Sequence, residues 1–158
     1  MKFINNSNDL SKHLDISIIK DVLIKSISID TRTIKKNALF IAINGINFNG
    51  NDFVEDAFKK GASIAIVDDT RFLKTKDKRI IYVKNSIQAL KKISKSIIRS
   101  YQGKIICITG SNGKTSTTNI IASVLKRSSK TISNFNNEIG VPLSIMNASS
   151  KSKNIVLE

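Results

Sequence analysis

The chain contains one cysteine, one histidine, two tyrosines and no tryptophan among its 158 residues. A lone thiol, Cys107, excludes an intrachain disulfide. One cysteine together with one histidine, His13, is too small a set of soft donors for a zinc-type site built by this chain alone. No apolar run reaches the roughly 18–20 residues that span a bilayer. The first residues, Met1 to Ser7, lack the continuous apolar core of a secretory signal. A soluble cytoplasmic protein is therefore expected. Aromatic side chains are also scarce, which argues against an RNA-binding surface built on stacking platforms.

Acidic residues are outnumbered, with 12 Asp and Glu against 26 Lys and Arg and a net charge of +14. The basic residues are scattered in pairs (Lys35-Lys36, Lys59-Lys60, Lys91-Lys92, Lys126-Arg127) that fall on turns or on polar helix faces. A solvated lysine-rich surface is the reading this favours. A basic nucleic-acid-binding module is the alternative from another class, and strong, steeply salt-dependent RNA binding would mark it. With 41% hydrophobic and 24% charged residues the chain is globular, of a size for one domain or one small domain plus part of another.

Local patterns divide the chain into alternating strands and helices. A short helix is expected over residues 7–14, capped by Ser7 or Asn8. Ile-rich runs at 24–29 and 39–43 read as strands, separated by the polar stretch Asp30 to Thr33. An Asn/Gly loop covers 44–51. Asp52 followed by Glu55 then reads as a capping box opening a helix that stops at Gly61. Strands follow at 63–67 and 79–83. Residues 86–101 form an amphipathic helix with Ile87, Leu90, Ile93, Ile97 and Ile98 on one face.

Gly103 marks a domain boundary, giving domains 1–102 and 103–158. Beyond it lie a buried strand at 104–109, in which Cys107 reads as a small buried hydrophobe, and a helix at 114–127. A strand at 130–133, a loop at 134–140, a short helix near 142–146 and a strand at 154–157 complete the chain. The fold class expected is α/β: a small N-terminal α/β domain, then the first half of a parallel sheet of the phosphate-loop type.

Residues 105–118, Ile-Ile-Cys-Ile-Thr-Gly-Ser-Asn-Gly-Lys-Thr-Ser-Thr-Thr, carry the chemistry. A phosphate site needs glycines for close backbone approach, a helix N-terminus for favourable potential, a lysine for phosphate charge and a hydroxyl for Mg²⁺. Gly110, Gly113, Lys114 and Thr115 meet all four requirements between an apolar strand and a helix. The glycines are three positions apart, where the general Walker pattern has five. A glycine-asparagine turn before an ordinary helix is the bland reading.

Thr-Gly-Ser-Asn-Gly-Lys-Thr-Ser, with the shortened spacing, resembles the loop of the Mur ligase family and its folate-ligase relatives. A second segment, Asn134-Phe135-Asn136-Asn137-Glu138-Ile139-Gly140-Val141-Pro142, is similar to the loop of the member that adds D-alanyl-D-alanine. A third, Asp30-Thr31-Arg32, then Leu39 to Gly45, then Phe48 to Phe53, resembles that member's uridine-nucleotide segment. The resemblance covers essentially the whole chain in order. Another amino-acid-adding Mur ligase and a non-catalytic nucleotide-binding module are the alternatives. The chain departs from the family at Asn37, Asn49 and Asn51, where Gly, Asp and His are common.

The resemblance implies an ATP-dependent ligase of peptidoglycan-precursor synthesis. ATP would activate the carboxylate of UDP-N-acetylmuramoyl-tripeptide as an acyl phosphate, and D-alanyl-D-alanine would attack it. Gly110, Ser111, Asn112, Gly113, Lys114, Thr115, Ser116 and Asn137 would bind ATP, with Lys114 catalytic. Thr115 and Glu158 would hold Mg²⁺, Glu158 having a solvated acid as its alternative. Thr31, Arg32, Asn44, Asn49 and Gly50 would contact the uridine nucleotide, Arg32 having a structural ion pair as its alternative. Asn136 and Asn137 have a turn-capping alternative, and Phe40, Phe48 and Phe53 read as core. The implied protein is a monomer with no membrane or nucleic-acid partner. Family residues beyond Glu158 are expected to be needed for turnover, so the 158-residue chain alone is not expected to ligate.

Overall fold

A computed structural model describes residues 2–17, 21–45, 48–131 and 136–158. Ile46 and Asn47 of the first loop, and Ile132 to Phe135 of the expected strand and second loop, lie outside the described residues. The chain forms two compact units, Ile4–Lys92 and Ile93–Glu158 with Met1–Phe3.

The first unit is an all-parallel sheet of β1 (Ser26–Ser28), β2 (Ala38–Ile41), β3 (Ala62–Val67) and β4 (Ile80–Tyr82), ordered as in the sequence. Every residue of β2 is buried, because a central parallel strand has neighbours on both edges and layers on both faces. Phe40, Ala42, Ala65 and Val67 share one face with Val54 and Ala57 of helix α2 (Val54–Lys59). The alanines let α2 lie close to the sheet. Leu39, Ile41, Ile64 and Ile66, which alternate with that set, are also fully buried. Each such aliphatic side chain contributes about 1.5–3 kcal/mol on burial. Asn37 takes a left-handed φ of 63° just before β2, a conformation asparagine adopts at low cost.

Two expected caps are corrected. Helix α1 (Ser7–Leu14) is capped by Asn6, whose side chain accepts from the Asp9 N–H. The Ser7 hydroxyl instead accepts from Val22 N at 2.9 Å, fastening the segment that leads into β1. Asp52 is not a helix cap, because a 3₁₀ turn, Gly50–Phe53, precedes α2 and is capped by Asn49. The Asp52 carboxylate pairs with Arg71. In helix α3 (Ser86–Ser100), Leu90, Ile93 and Ile97 are buried while Ile98, at the margin of that face, is exposed.

The second unit holds a three-stranded parallel sheet ordered β5 (Lys104–Cys107), β7 (Asn154–Leu157), β6 (Ser128–Lys130). Helix α4 (Lys114–Val124) packs on β6 and β7, and α5 (Gly140–Asn147) packs on β7. The helix expected to reach 127 stops three residues earlier. Arg127, at a left-handed φ of 56°, turns the chain into β6.

Cys107 is exposed, contrary to the expected buried position. Its strand is an edge strand, paired among the described residues only with β7, and an apolar run alone does not distinguish an edge from a centre. The thiol is therefore expected to react stoichiometrically with Ellman's reagent in the folded chain, without denaturant. A thiol titrated only after unfolding would contradict this placement.

Candidate functional site

The loop after β5 and the end of β7 meet at the C-terminal edge of the second sheet. Lys104 pairs with Asn154 and Cys107 with Leu157, and Ile108 N continues the ladder to Leu157 O at 2.8 Å. Glu158 therefore emerges beside the loop that begins two residues later on the neighbouring strand. The Thr115 hydroxyl donates to Glu158 Oε2 at 2.8 Å, across 43 residues of sequence. Asn136 Nδ2 donates to Glu158 Oε1 at 3.3 Å. The backbone of Glu158 is anchored separately, its N–H donating at 2.8 Å to the hydroxyl of buried Thr131. Nothing in the local sequence marks Thr131 for that task.

Gly113 caps α4 at φ 75° and Gly110 has φ 152°. Among the described residues no side chain caps α4 at Gly113, and the loop before it is exposed, an arrangement compatible with an anion site. Lys114 Nζ is folded back onto the loop, donating to Gly110 O at 2.7 Å and Ser111 O at 3.4 Å. A phosphate entering the loop would offer the ammonium stronger acceptors than these neutral carbonyls. The Asn137 side chain is engaged locally: its Oδ1 accepts from Ile139 N at 3.1 Å and Gly140 N at 2.7 Å, capping α5.

A hydroxyl and a carboxylate side by side at the mouth of a phosphate loop are hard oxygen donors, the set that suits Mg²⁺. No cluster of three or more His, Cys, Asp or Glu occurs among the described residues.

The remaining candidates gather on the first unit. Thr31 and Arg32 follow β1, and Asn44, Asn49 and Gly50 follow β2, so the parallel pairing brings both groups to the C-terminal edge of one sheet. Arg32 is paired with its neighbour in sequence, Nε and Nη2 donating to the Asp30 carboxylate at 3.0 and 2.6 Å. The guanidinium holds the Asp30 carboxyl below the usual carboxylate range, and the carboxylate raises Arg32 in turn. Asp56 on α2 is likewise lowered, first by Lys60 and also by the Thr31 hydroxyl.

Asn44 and Asn49 form an antiparallel bridge at the base of their loop. Gly50 crosses so near the backbone of Ile43 that a Cβ would lie 2.5 Å from Ile43 N. Of the three phenylalanines expected in the core, only Phe40 is buried. Phe48 and Phe53 are 71% and 40% exposed, because they lie past the end of β2 in the loop and in the 3₁₀ turn.

The fold and the loop define an α/β protein of parallel sheets with a glycine-containing strand–loop–helix turn. The chain belongs to the Mur ligase family. Residues 23–97 match the family model described as "Mur ligase family, catalytic domain", and residues 108–158 match "Mur ligase middle domain". Among curated relatives, the chain is 37% identical over 161 residues to the UDP-N-acetylmuramoyl-tripeptide–D-alanyl-D-alanine ligase of Buchnera aphidicola, covering all of this chain and 35% of that protein.

Two solved structures are also similar. The MurF ligase of Thermotoga maritima, in complex with ADP, matches at TM-score 0.70 and 32% identity, over 89% of this chain and 33% of the other. MurF from Acinetobacter baumannii matches at TM-score 0.76 and 25% identity, over 94% and 34% respectively. The chain thus spans about a third of the length of the relatives it matches.

Proposed function

We propose that this chain supplies the uridine-nucleotide site and the ATP-phosphate site of a ligase that joins D-alanyl-D-alanine to UDP-N-acetylmuramoyl-tripeptide. The observation that carries the reading is the Thr115–Glu158 contact. It places a hydroxyl and a carboxylate from distant parts of the sequence at the mouth of a glycine loop. Such an arrangement serves a nucleotide triphosphate better than a simple anion.

On this reading residues 1–102 hold the uridine nucleotide through Thr31, Arg32, Asn44, Asn49 and Gly50, and residues 103–158 hold ATP. Backbone N–H groups from Gly110 to Ser116 cradle the β- and γ-phosphates, while Asn137 borders the nucleotide. Lys114 leaves the loop carbonyls and neutralises the transferred phosphoryl group as its charge spreads in the transition state. Thr115 and Glu158 hold Mg²⁺, which when bound screens the phosphate charge. The carboxylate of the tripeptide attacks the γ-phosphorus with release of ADP, and the amine of D-alanyl-D-alanine then displaces phosphate from the acyl phosphate. We assign the protein to the cytoplasm as a monomer, where these substrates are water-soluble. No described helix is long and apolar enough to cross a membrane.

Calorimetric titration of UDP-N-acetylmuramoyl-tripeptide tests the assignment. Binding to the wild-type chain is expected to weaken about fivefold or more in Arg32→Ala, the loss of one charge-assisted contact, and to be unchanged in Lys114→Ala. No binding to the wild type, or equal loss in both variants, would overturn it.

A further inference from the structure

The loop that carries Asn44, Asn49 and Gly50 is organised by a residue outside that set. Asn51 is 2% exposed and makes a two-point contact with Asp68, 17 residues away. Its Nδ2 donates to Asp68 Oδ1 at 2.9 Å, and its Oδ1 accepts from Asp68 N at 3.1 Å. A carboxylate only accepts and a backbone N–H only donates, so Asp68 fixes which way the Asn51 amide faces. Asp68 is itself held, its Oδ2 accepting from Ser86 N at the start of α3 at 3.0 Å.

The same Asn51 Nδ2 also lies within donating distance of Asn49 Oδ1 at 2.9 Å and Asn44 Oδ1 at 3.2 Å, its two protons being shared among three acceptors. The Asn51 backbone N–H reinforces the first, at 2.9 Å from Asn49 Oδ1. Asn44 and Asn49 therefore turn their carbonyl oxygens inward to one buried amino group. Their own amino groups face away from it.

We infer that Asn51 is a positioning residue: with Asp68 it sets the polarity of the loop, so that Asn44 and Asn49 present N–H donors to a ligand bearing oxygen acceptors, such as the carbonyls of a pyrimidine or the oxygens of a diphosphate. This deepens, and rests on, the uridine-nucleotide reading given above. The relay runs from a carboxylate, through one buried amide, to two loop amides. Asn51 touches no ligand in it.

The relay makes a fold-preserving test available. In the double variant Asn51→Asp/Asp68→Asn both bonds can be remade. The side-chain bond is donated from position 68 instead of 51, the backbone N–H of residue 68 still donates to the side chain at 51, and the amide oxygen introduced at position 68 still accepts from Ser86 N. The new carboxylate at position 51, however, faces the Asn44 and Asn49 oxygens; Asn44 turns over to meet it, while Asn49 stays held by the backbone N–H of residue 51 and is repelled. The double variant, which remakes the contact with residue 68, is expected to melt above single Asn51→Asp. UDP affinity of the double variant is expected to fall about tenfold or more, because a site's donors have become acceptors. Recovery of both stability and UDP affinity would overturn the inference.

Asn44→Asp provides a second variant whose inward bond to Asn51 survives. Unchanged stability with about tenfold weaker UDP binding is expected, and wild-type UDP affinity would overturn the inference even if the double variant fails to fold. The two readings fail differently. If the wild type does not bind UDP, the uridine assignment falls. The relay is then judged without ligand, from proton exchange of the Asn51 side-chain amide measured by NMR. Slowed exchange is expected, and exchange as fast as that of a solvent-exposed asparagine would overturn it.

Discussion

Gly50→Ala is expected to lower the melting temperature of the four-stranded unit by about 10 °C and to weaken uridine-nucleotide binding with it. An added Cβ would lie 2.5 Å from Ile43 N and 2.6 Å from Ile43 O. These are backbone atoms with no rotamer to adopt, and Gly50 N already donates to the same Ile43 O at 3.1 Å. The chain must separate there or the loop must move. Overpacking of this kind costs about 1–3 kcal/mol, and a unit of this size loses roughly 4–8 °C for each kcal/mol. Gly113 provides a contrast. Its φ is 75° and no described atom lies within 4 Å of an added Cβ, so Gly113→Ala carries only the left-handed backbone cost, about 1–2 kcal/mol. Scanning calorimetry of the two variants separates crowding from conformation. Equal, small shifts in both would show that Gly50 is not held against Ile43.

Glu158→Gln is expected to remove the Mg²⁺ dependence of ADP binding while leaving the three-stranded unit folded. The side chain accepts from Thr115 at 2.8 Å and from Asn136 at 3.3 Å, whereas the main chain of Glu158 is tied to Thr131 independently of what the side chain is. Glutamine preserves the volume and can accept from Thr115, but it loses the charge. Contacts to ionised groups are worth about 1.5–3 kcal/mol, so Mg²⁺ should tighten ADP binding about tenfold or more in the wild type and little in the variant. Identical Mg²⁺ dependence in both proteins would return Glu158 to the solvated acid that the sequence also allowed.

What the sequence revealed was mostly local. The strand, glycine loop and helix of residues 104–124 follow from an apolar run, two glycines and a helical pattern, all within a few residues of one another. For Arg32 the sequence allowed a structural ion pair, and the structure names its partner as Asp30, two positions earlier. Long-range pairing was not readable. The register joining β5 to β7 links residues 50 apart, and β5 has no second partner strand among the described residues, where Cys107 is exposed.

The Asp52 capping box failed for a related reason. Its spacing was right, but a 3₁₀ turn shifted the helix start and the carboxylate found Arg71 instead. Asn51 gave the least warning. In the sequence it is a polar residue in an Asn/Gly loop, and its partner Asp68 becomes visible only when β2 and β3 lie side by side. Buried polar groups of this kind are specified by tertiary neighbours, which local pattern does not encode.

The central claim is that the loop at 110–115 holds nucleotide phosphates through Lys114 and the start of α4. Titrating Mg·ADP into the wild-type chain and into Lys114→Ala by calorimetry tests it most directly. The account predicts saturable one-to-one binding to the wild type, weakened about tenfold or more by the substitution, with the melting temperature unchanged because among the described residues Lys114 is bonded to exposed loop carbonyls. Equal affinity of the two proteins for Mg·ADP would contradict it.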